Sequence, residues 1–402
     1  MADASIRLLA GPAARRRIAE SGLGAADVAA VVAAAGGPKG LALLPLDRWL
    51  FGEWFAGAPR PRAHFGASIG AWRMAAATRA RPLPALDRLQ HAYVEGQRYP
   101  SRPSPEQVSR VCRDLVRELF DGDTTGFVAA AAPGAALHVV TARDLTRRPA
   151  AHPAESPESG ASTAPGDPAG RGESDAGVEP ARRSPSGAPG EPAGRVAFAR
   201  AALANAFGRP RLAAHLQRIV FSSAPDGLAA LPRDAFATRV APLDAASAED
   251  ALLASGSIPL VARPVRSIHG APVGDYWDGG LIDYHLYWRY PALDGLVLYP
   301  HFVPHVTAGW LDKFLPWRRH GVGAGGRGWL DNVLLVVPSP AMLARLPNRK
   351  LPDRADFHRY GLDHDRRQRD WLRAISECAR MAEEFAAFVE RPSERRLEPL
   401  PG

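Results

Sequence analysis

Val28-Ala29-Ala30-Val31-Val32-Ala33-Ala34-Ala35 runs straight into Gly36-Gly37-Pro38-Lys39-Gly40. An apolar run bounded by a glycine-rich turn has the composition of a buried strand. Leu41 to Phe55 follows, with Leu43, Leu44, Leu46 and Leu50 at helical spacing. The order then returns: His64-Phe65 leads into Gly66-Ala67-Ser68-Ile69-Gly70, and Ala71 to Arg79 reads as a helix. Strand, glycine turn and helix, twice in succession, predict an α/β fold with a largely parallel sheet.

Working outward, Glu106 to Phe120 reads as an amphipathic helix and Leu137 to Thr141 as a strand. Val196 to Phe207 reads as a helix, Arg218 to Ser222 as a strand, and Ala248 to Ser255 as a helix ending near Gly256. Leu296 to Tyr299 and Val333 to Val337 are short buried strands, and Gln368 to Val389 is one long C-terminal helix. Between these elements lies Pro149 to Gly194, 46 residues of which 33 are Ala, Pro, Gly or Ser. That stretch offers too little apolar surface to offset its ordering entropy, so residues 149–194 are expected to be a disordered insertion. Candidate chemical motifs fall on both sides of it, which favours one domain over 1–402 with a surface insertion. Residues 340–402 form a helical extension on this reading.

The chain has 402 residues, 46% hydrophobic and 23% charged, which excludes a collagenous, wholly disordered or disulfide-scaffold protein. No apolar stretch is long enough for a transmembrane helix. Cys112 and Cys378 stand alone, without the spacing of a zinc site or disulfide framework. Met1-Ala2-Asp3 opens no basic and apolar leader, so no secretory signal is expected. The expected location is the cytoplasm. The net charge is +8, but the insertion holds three Arg against seven Asp and Glu, so the rest is near +12. A basic body suits an anionic surface such as phospholipid headgroups, or is a solvated arginine-rich face. No nucleic-acid-binding signature accompanies the charge, and no nucleic-acid partner is expected.

Gly66-Ala67-Ser68-Ile69-Gly70 is a G-x-S-x-G pentapeptide. On a tight strand-to-helix turn its serine hydroxyl is exposed, and the helix N-terminus favours negative charge beside it. The glycines at 36, 37 and 40 free backbone N–H groups to face a developing oxyanion, and Lys39 adds positive charge. The alternative is a plain strand–helix connection or a phosphate turn, although the P-loop pattern is missing because Gly40 follows Lys39. Asp275-Tyr276-Trp277-Asp278-Gly279-Gly280 places a carboxylate before two glycines, where backbone approaches closely and a base can reach a hydroxyl. Its alternative is a simple Asp-Gly turn. Ala251 to Pro259, with Ser255 and Ser257, reads as a helix end followed by a proline-set turn.

In this order the four segments resemble the patatin-like phospholipase family. The likeness runs from about Val28 to Asp283. It matches Ser68 to the family's nucleophile, Asp278 to the aspartate of its dyad, and Ala254, Ser255 and Pro259 to its third block. Gly66, Gly70, Gly279 and Gly280 support those motifs. The resemblance implies a three-layer α/β/α sandwich, a Ser68–Asp278 dyad, and an oxyanion site drawn from Gly36, Gly37, Lys39, Gly40 and Ile69. It implies hydrolysis of lipid or lysolipid acyl esters through an acyl-enzyme, with no metal and no cofactor; peripheral membrane contact is an expectation from the basic body and from tryptophans beside cationic residues. Two positions depart from the family pattern. Ala35 stands where a first glycine is usual, and Pro38 donates no N–H. Asp283 stands where asparagine is common, either raising the pKa of Asp278 or facing solvent.

Two rivals stand beside this reading. One is an α/β-hydrolase with a Ser-His-Asp triad, for which His285, His301, His305, His358 and His364 are the downstream candidates. The other is a decayed lipid-surface module. Its aromatic candidates are Trp49, Phe51, Trp54 and Phe55, and Trp310, Phe314, Trp317 and Trp329 among Lys313, Arg318, Arg319 and Arg327.

Overall fold

The computed structural model describes residues 4–57, 61–121, 134–146, 192–224, 228–320 and 328–400. Thirteen strands are present among them: β1 (Ile6–Ala10), β2 (Val28–Ala33), β3 (Arg62–Ala67), β4 (Ala135–Asp144), β5 (Leu216–Ser222), β6 (Thr238–Pro242), β7 (Val265–Arg266), β8 (Asp275–Asp278), β9 (Leu296–Pro300), β10 (Val306–Thr307), β11 (Arg319–His320), β12 (Val333–Pro338) and β13 (Leu397–Pro399). The main sheet runs β13-β1-β12-β9-β2-β3-β4-β5-β6, with β8 added to β4 and β7 to β8. Its centre, β12-β9-β2-β3-β4, is parallel throughout. Antiparallel pairs join β1 to β12 and β4 to β5. The fold is therefore α/β with a mixed, mostly parallel sheet flanked by helices in three layers. The central strands read as near-continuous apolar runs because both their faces are covered; Val31, Val32, Val297 and Leu335 are fully buried.

Ile69–Ala77 is a helix buried along its whole length, which its Ala-rich sequence permits. It packs beside the helices Pro82–Glu95 and Pro105–Leu119, the latter opened by a capping box of Ser104 and Gln107. Three expected elements differ. The single helix over Leu41 to Phe55 is instead a 3₁₀ turn (Gly37–Leu43), an α-helix (Leu44–Trp49) and a π turn (Leu50–Trp54). Pro45 lacks the N–H a continuous ladder needs, so the α-helical part starts around it. The C-terminal helix divides at Cys378 into His364–Glu377 and Ala379–Glu390. There the Met381 N–H bonds Cys378 O, three residues back, and the tightened turn keeps Trp371 and Phe385 both in the core. The C-terminal segment is not helical to its end, because β13 returns to pair with β1. The expected insertion lies outside the described residues except Pro192 to Gly194, which open the helix Pro192–Phe207. Among the described residues no helix is long and apolar enough to cross a membrane.

Candidate active site

The two central residues of the site are brought together by one edge of β4. β3 pairs with the first part of that edge, ending with Ala67 opposite Val140. β8 arrives antiparallel on the next part, with Asp278 opposite Thr141. Ser68 is the residue after β3, and Asp278 is the last of β8. Two strand ends therefore meet head-on, and their side chains meet with them. Ser68 Oγ donates to Asp278 Oδ2 at 2.8 Å.

The turn at Ser68 is strained. Its φ of 56° and ψ of −129° lie where non-glycine residues are rare. The turn exists because the helix that follows must lie against β2. A Cβ on Gly70 would stand 1.9 Å from Ala33 O, so only glycine allows that approach. Gly66 and Gly40 press on the same helix less closely, a Cβ standing 2.4 Å from Ala71 Cα and 2.7 Å from the Ile69 side chain. The strain is held by a brace the sequence did not reveal. The Ser68 N–H donates to Ser255 Oγ at 2.9 Å, and Ser255 Oγ donates to Val140 O at 2.7 Å. Ser255, read from sequence as part of a helix end, thus ties the turn to the β4 edge. A second tie is the Asp278 N–H bond to Ser257 O at 2.8 Å.

Asp278 is 6% exposed. Its Oδ1 accepts the Gly280 N–H at 2.7 Å. Gly279 passes so near β4 that a Cβ would lie 2.1 Å from Val140 O. Burial pushes the carboxyl above its ordinary range; Arg354, the Ser68 hydroxyl and the Gly280 N–H pull the other way. A base with a raised pKa holds a proton more readily, which suits it to take one from a hydroxyl.

The glycine loop lies alongside. Gly36 meets Phe302, and Gly37 takes φ +58° against Arg354. Neither glycine's N–H has a backbone partner among the described residues. Ile69 is the first residue of its helix, where N–H groups lack intrahelical partners. Pro38 sits inside the turn and offers no donor. The Lys39 ammonium stands 5.2 Å from the Phe302 ring centroid, half-buried. Burial lowers its pKa; Asp353 opposes this, while Lys350 and Arg354 add to it.

Asp283 follows neither course expected of it. It is buried and bonded to Arg218 at 2.6 and 3.1 Å and to Trp288 Nε1 at 3.0 Å. Arg218 is shared with Asp234 at 2.7 Å. This network fixes the segment after Asp278 and places no second carboxylate on it. The histidines of the rival triad lie elsewhere. His285 Nδ1 accepts the Thr307 N–H at 3.0 Å, and His301 Nδ1 lies 2.7 Å from Val303 O. Burial drives His285 well below its ordinary pKa and His301 down to about 3, so both are neutral. No histidine is hydrogen-bonded to Ser68 among the described residues.

A narrow cleft of about 10 Å³ opens on Asp278, with Ala35, Ile258, Pro259, Gly280, Leu281, Tyr284, Trp310 and Arg354 around it. Arg354 comes from the C-terminal part of the chain, where no motif was read from the sequence. Trp310 belongs to the second aromatic group, of which Phe314 and Trp317 are 67% and 75% exposed while Trp329 packs on Tyr287. Arg318 pairs with Asp312 at 2.7 Å; Arg327 lies outside the described residues. The first aromatic group packs inward, with Trp49 and Trp54 stacked at 5.6 Å and both edge-on to Phe385.

Compared with known proteins, the chain matches no family model and no curated protein.

Proposed function

We propose that the protein is a serine acyl-ester hydrolase using Ser68 and Asp278, and that its substrates are lipid or lysolipid acyl esters. The observation that carries this is the 2.8 Å bond from Ser68 Oγ to a buried carboxylate at a strained strand-to-helix turn. Ser68 Oγ attacks the acyl carbonyl and its proton passes to Asp278. The carbonyl oxygen becomes an oxyanion facing the N–H groups of the Gly36–Gly37 turn and Ile69. The ester C–O bond breaks, and the leaving alcohol takes the proton from Asp278. Water then attacks the acyl-enzyme, Asp278 accepts its proton, and the acid departs as Ser68 is reprotonated. That His285 and His301 are neutral and otherwise engaged supports a dyad over a triad built on either of them.

The lipid assignment rests on the resemblance read from the motifs, on exposed Phe314 at 6.4 Å from the ring of the cleft residue Trp310, and on exposed Trp317. Exposed aromatic rings among cations suit a lipid–water interface. We place the protein in the cytoplasm with peripheral lipid contact, a reading supported by two free thiols.

The test is hydrolysis of p-nitrophenyl butyrate by wild type, Ser68→Ala and Asp278→Ala, each checked for folding by circular dichroism. Wild type is expected to turn over, with both variants reduced about 10³-fold or more. An inert wild type whose Ser68 also resists a fluorophosphonate probe would overturn the proposal and leave a lipid-surface module.

A further inference from the structure

The short helix Gly280–Asp283 borders two openings. Gly280 and Leu281 line the cleft at Asp278, whereas Asp283 lines a second cavity of about 320 Å³. The two share no lining residue. The second has the size of a small-molecule site.

Its walls are aromatic. Phe236 and Tyr287 are buried, and Trp329 is half-buried. The Tyr287 and Trp329 rings lie 5.0 Å apart, tilted by 34°. The guanidiniums of Arg209 and Arg218 stand over Phe236 at 5.0 and 5.5 Å. Nearly all the charge around the cavity is spent. Asp234 and Asp283, the carboxylates in the lining, both bind Arg218, at 2.7 and 2.6 Å. Arg209, also in the lining, binds Asp312 at 2.7 Å, and Arg318 binds the same aspartate at 2.7 Å. That network sets Arg209, Arg218 and Arg318 against Asp234, Asp283 and Asp312, charge for charge. Arg233 is left over. It lines the cavity, is exposed, and forms no ion pair or side-chain hydrogen bond among the described residues.

An aromatic-walled pocket favours a flat ring, which stacks there and leaves water. An uncommitted guanidinium binds a carboxylate through two parallel N–H···O bonds. Aromatic rings can also hold a cation. A cation here meets carboxylates already bound to Arg218, together with an unbalanced positive charge. The surplus therefore selects an anion.

We propose that this cavity binds a planar aromatic carboxylate, with its ring against Tyr287 and Trp329 and its carboxylate on Arg233. The site is separate from the Ser68–Asp278 pair and does not depend on the hydrolase reading.

Calorimetry on the full chain tests it with three probes of one ring system: 2-naphthoate, 2-naphthalenemethanol and 2-naphthylmethylammonium. Melting temperatures serve as the folding control. Wild type is expected to bind 2-naphthoate, and the neutral alcohol about tenfold more weakly. Arg233→Gln should bring these two to equal affinity, and Arg233→Lys should restore part of the preference. Ala235 lines the cavity at an exposed position. Ala235→Trp fills the space with an indole and should lower 2-naphthoate affinity about tenfold or more. Ser68→Ala should bind as wild type does. No binding of 2-naphthoate by wild type overturns the site, as does binding undiminished by either Arg233→Gln or Ala235→Trp. Equal affinity of wild type for all three probes, or tighter binding of the ammonium, overturns the carboxylate. Loss of binding in Ser68→Ala puts the ligand in the cleft and overturns the second site.

Discussion

Asp278 serves two opposed demands. As a base it must be ionised, yet its burial penalises that form and raises its pKa above the unfolded value. Activity is therefore expected to fall, as pH drops, through a value above the ordinary aspartate pKa of about 3.9. Arg354 pulls that value down, so Arg354→Gln should shift the acid limb of kcat/KM to higher pH. A limb that stays in place would show that Arg354 does not act on Asp278. The linkage has a stability counterpart. A carboxyl with a raised folded pKa costs stability when ionised, and the cost is relieved as pH falls through that pKa. Asp278→Asn is expected to gain ~1 kcal/mol at neutral pH in a urea melt while losing activity. A less stable Asp278→Asn would contradict the desolvation argument.

Elements hold these residues in place by pairing with one another. The helix Ile69–Ala77, behind Ser68, and the helix Leu44–Trp49, behind the glycine loop, are joined by Arg73 and Asp47 through two bonds of 2.7 Å, both side chains fully buried. Removing one partner strands a buried charge, so Arg73→Met is expected to cost about 3–5 kcal/mol. Arg73→Met with Asp47→Leu should recover most of that loss, as chemical denaturation of the three proteins would show; no recovery would mean the pair acts through packing alone. Much at this scale was legible. The strand–turn–helix units around Gly37 and Ser68 announce themselves, because each turn must contain glycine where backbones nearly touch. β8 did not, since Asp-Tyr-Trp-Asp is too short to show alternation and becomes a strand only by lying on β4. β13 is a strand only beside β1. The break at Cys378 was hidden because the apolar spacing runs on through it.

The whole molecule decides what reaches the cleft. Ser68 and Asp278 were both legible from motifs, because their neighbours in sequence are also their steric neighbours. Ser255's brace and Arg354 were not, since each acquires its place by contacts between segments far apart in the chain. The exposed rings of Phe314 and Trp317 are a feature of the assembled surface in the same way. On the lipid reading, Phe314→Ala/Trp317→Ala should weaken partition onto anionic phospholipid vesicles about tenfold or more. Co-sedimentation at low salt measures it, and unchanged partition would remove these rings from any lipid contact.

The head-on meeting of β3 and β8 also has a clock attached. Ser68 and Asp278 are separated by 210 positions in the chain. At ~5–20 residues per second, synthesis delivers the serine roughly 10–40 s before its carboxylate exists. On the proposed mechanism a nascent chain carries a hydroxyl without a base throughout that interval. Reactivity toward cellular esters then begins only once the β4 edge is filled from both directions, so a translation product abandoned before Asp278 is chemically silent.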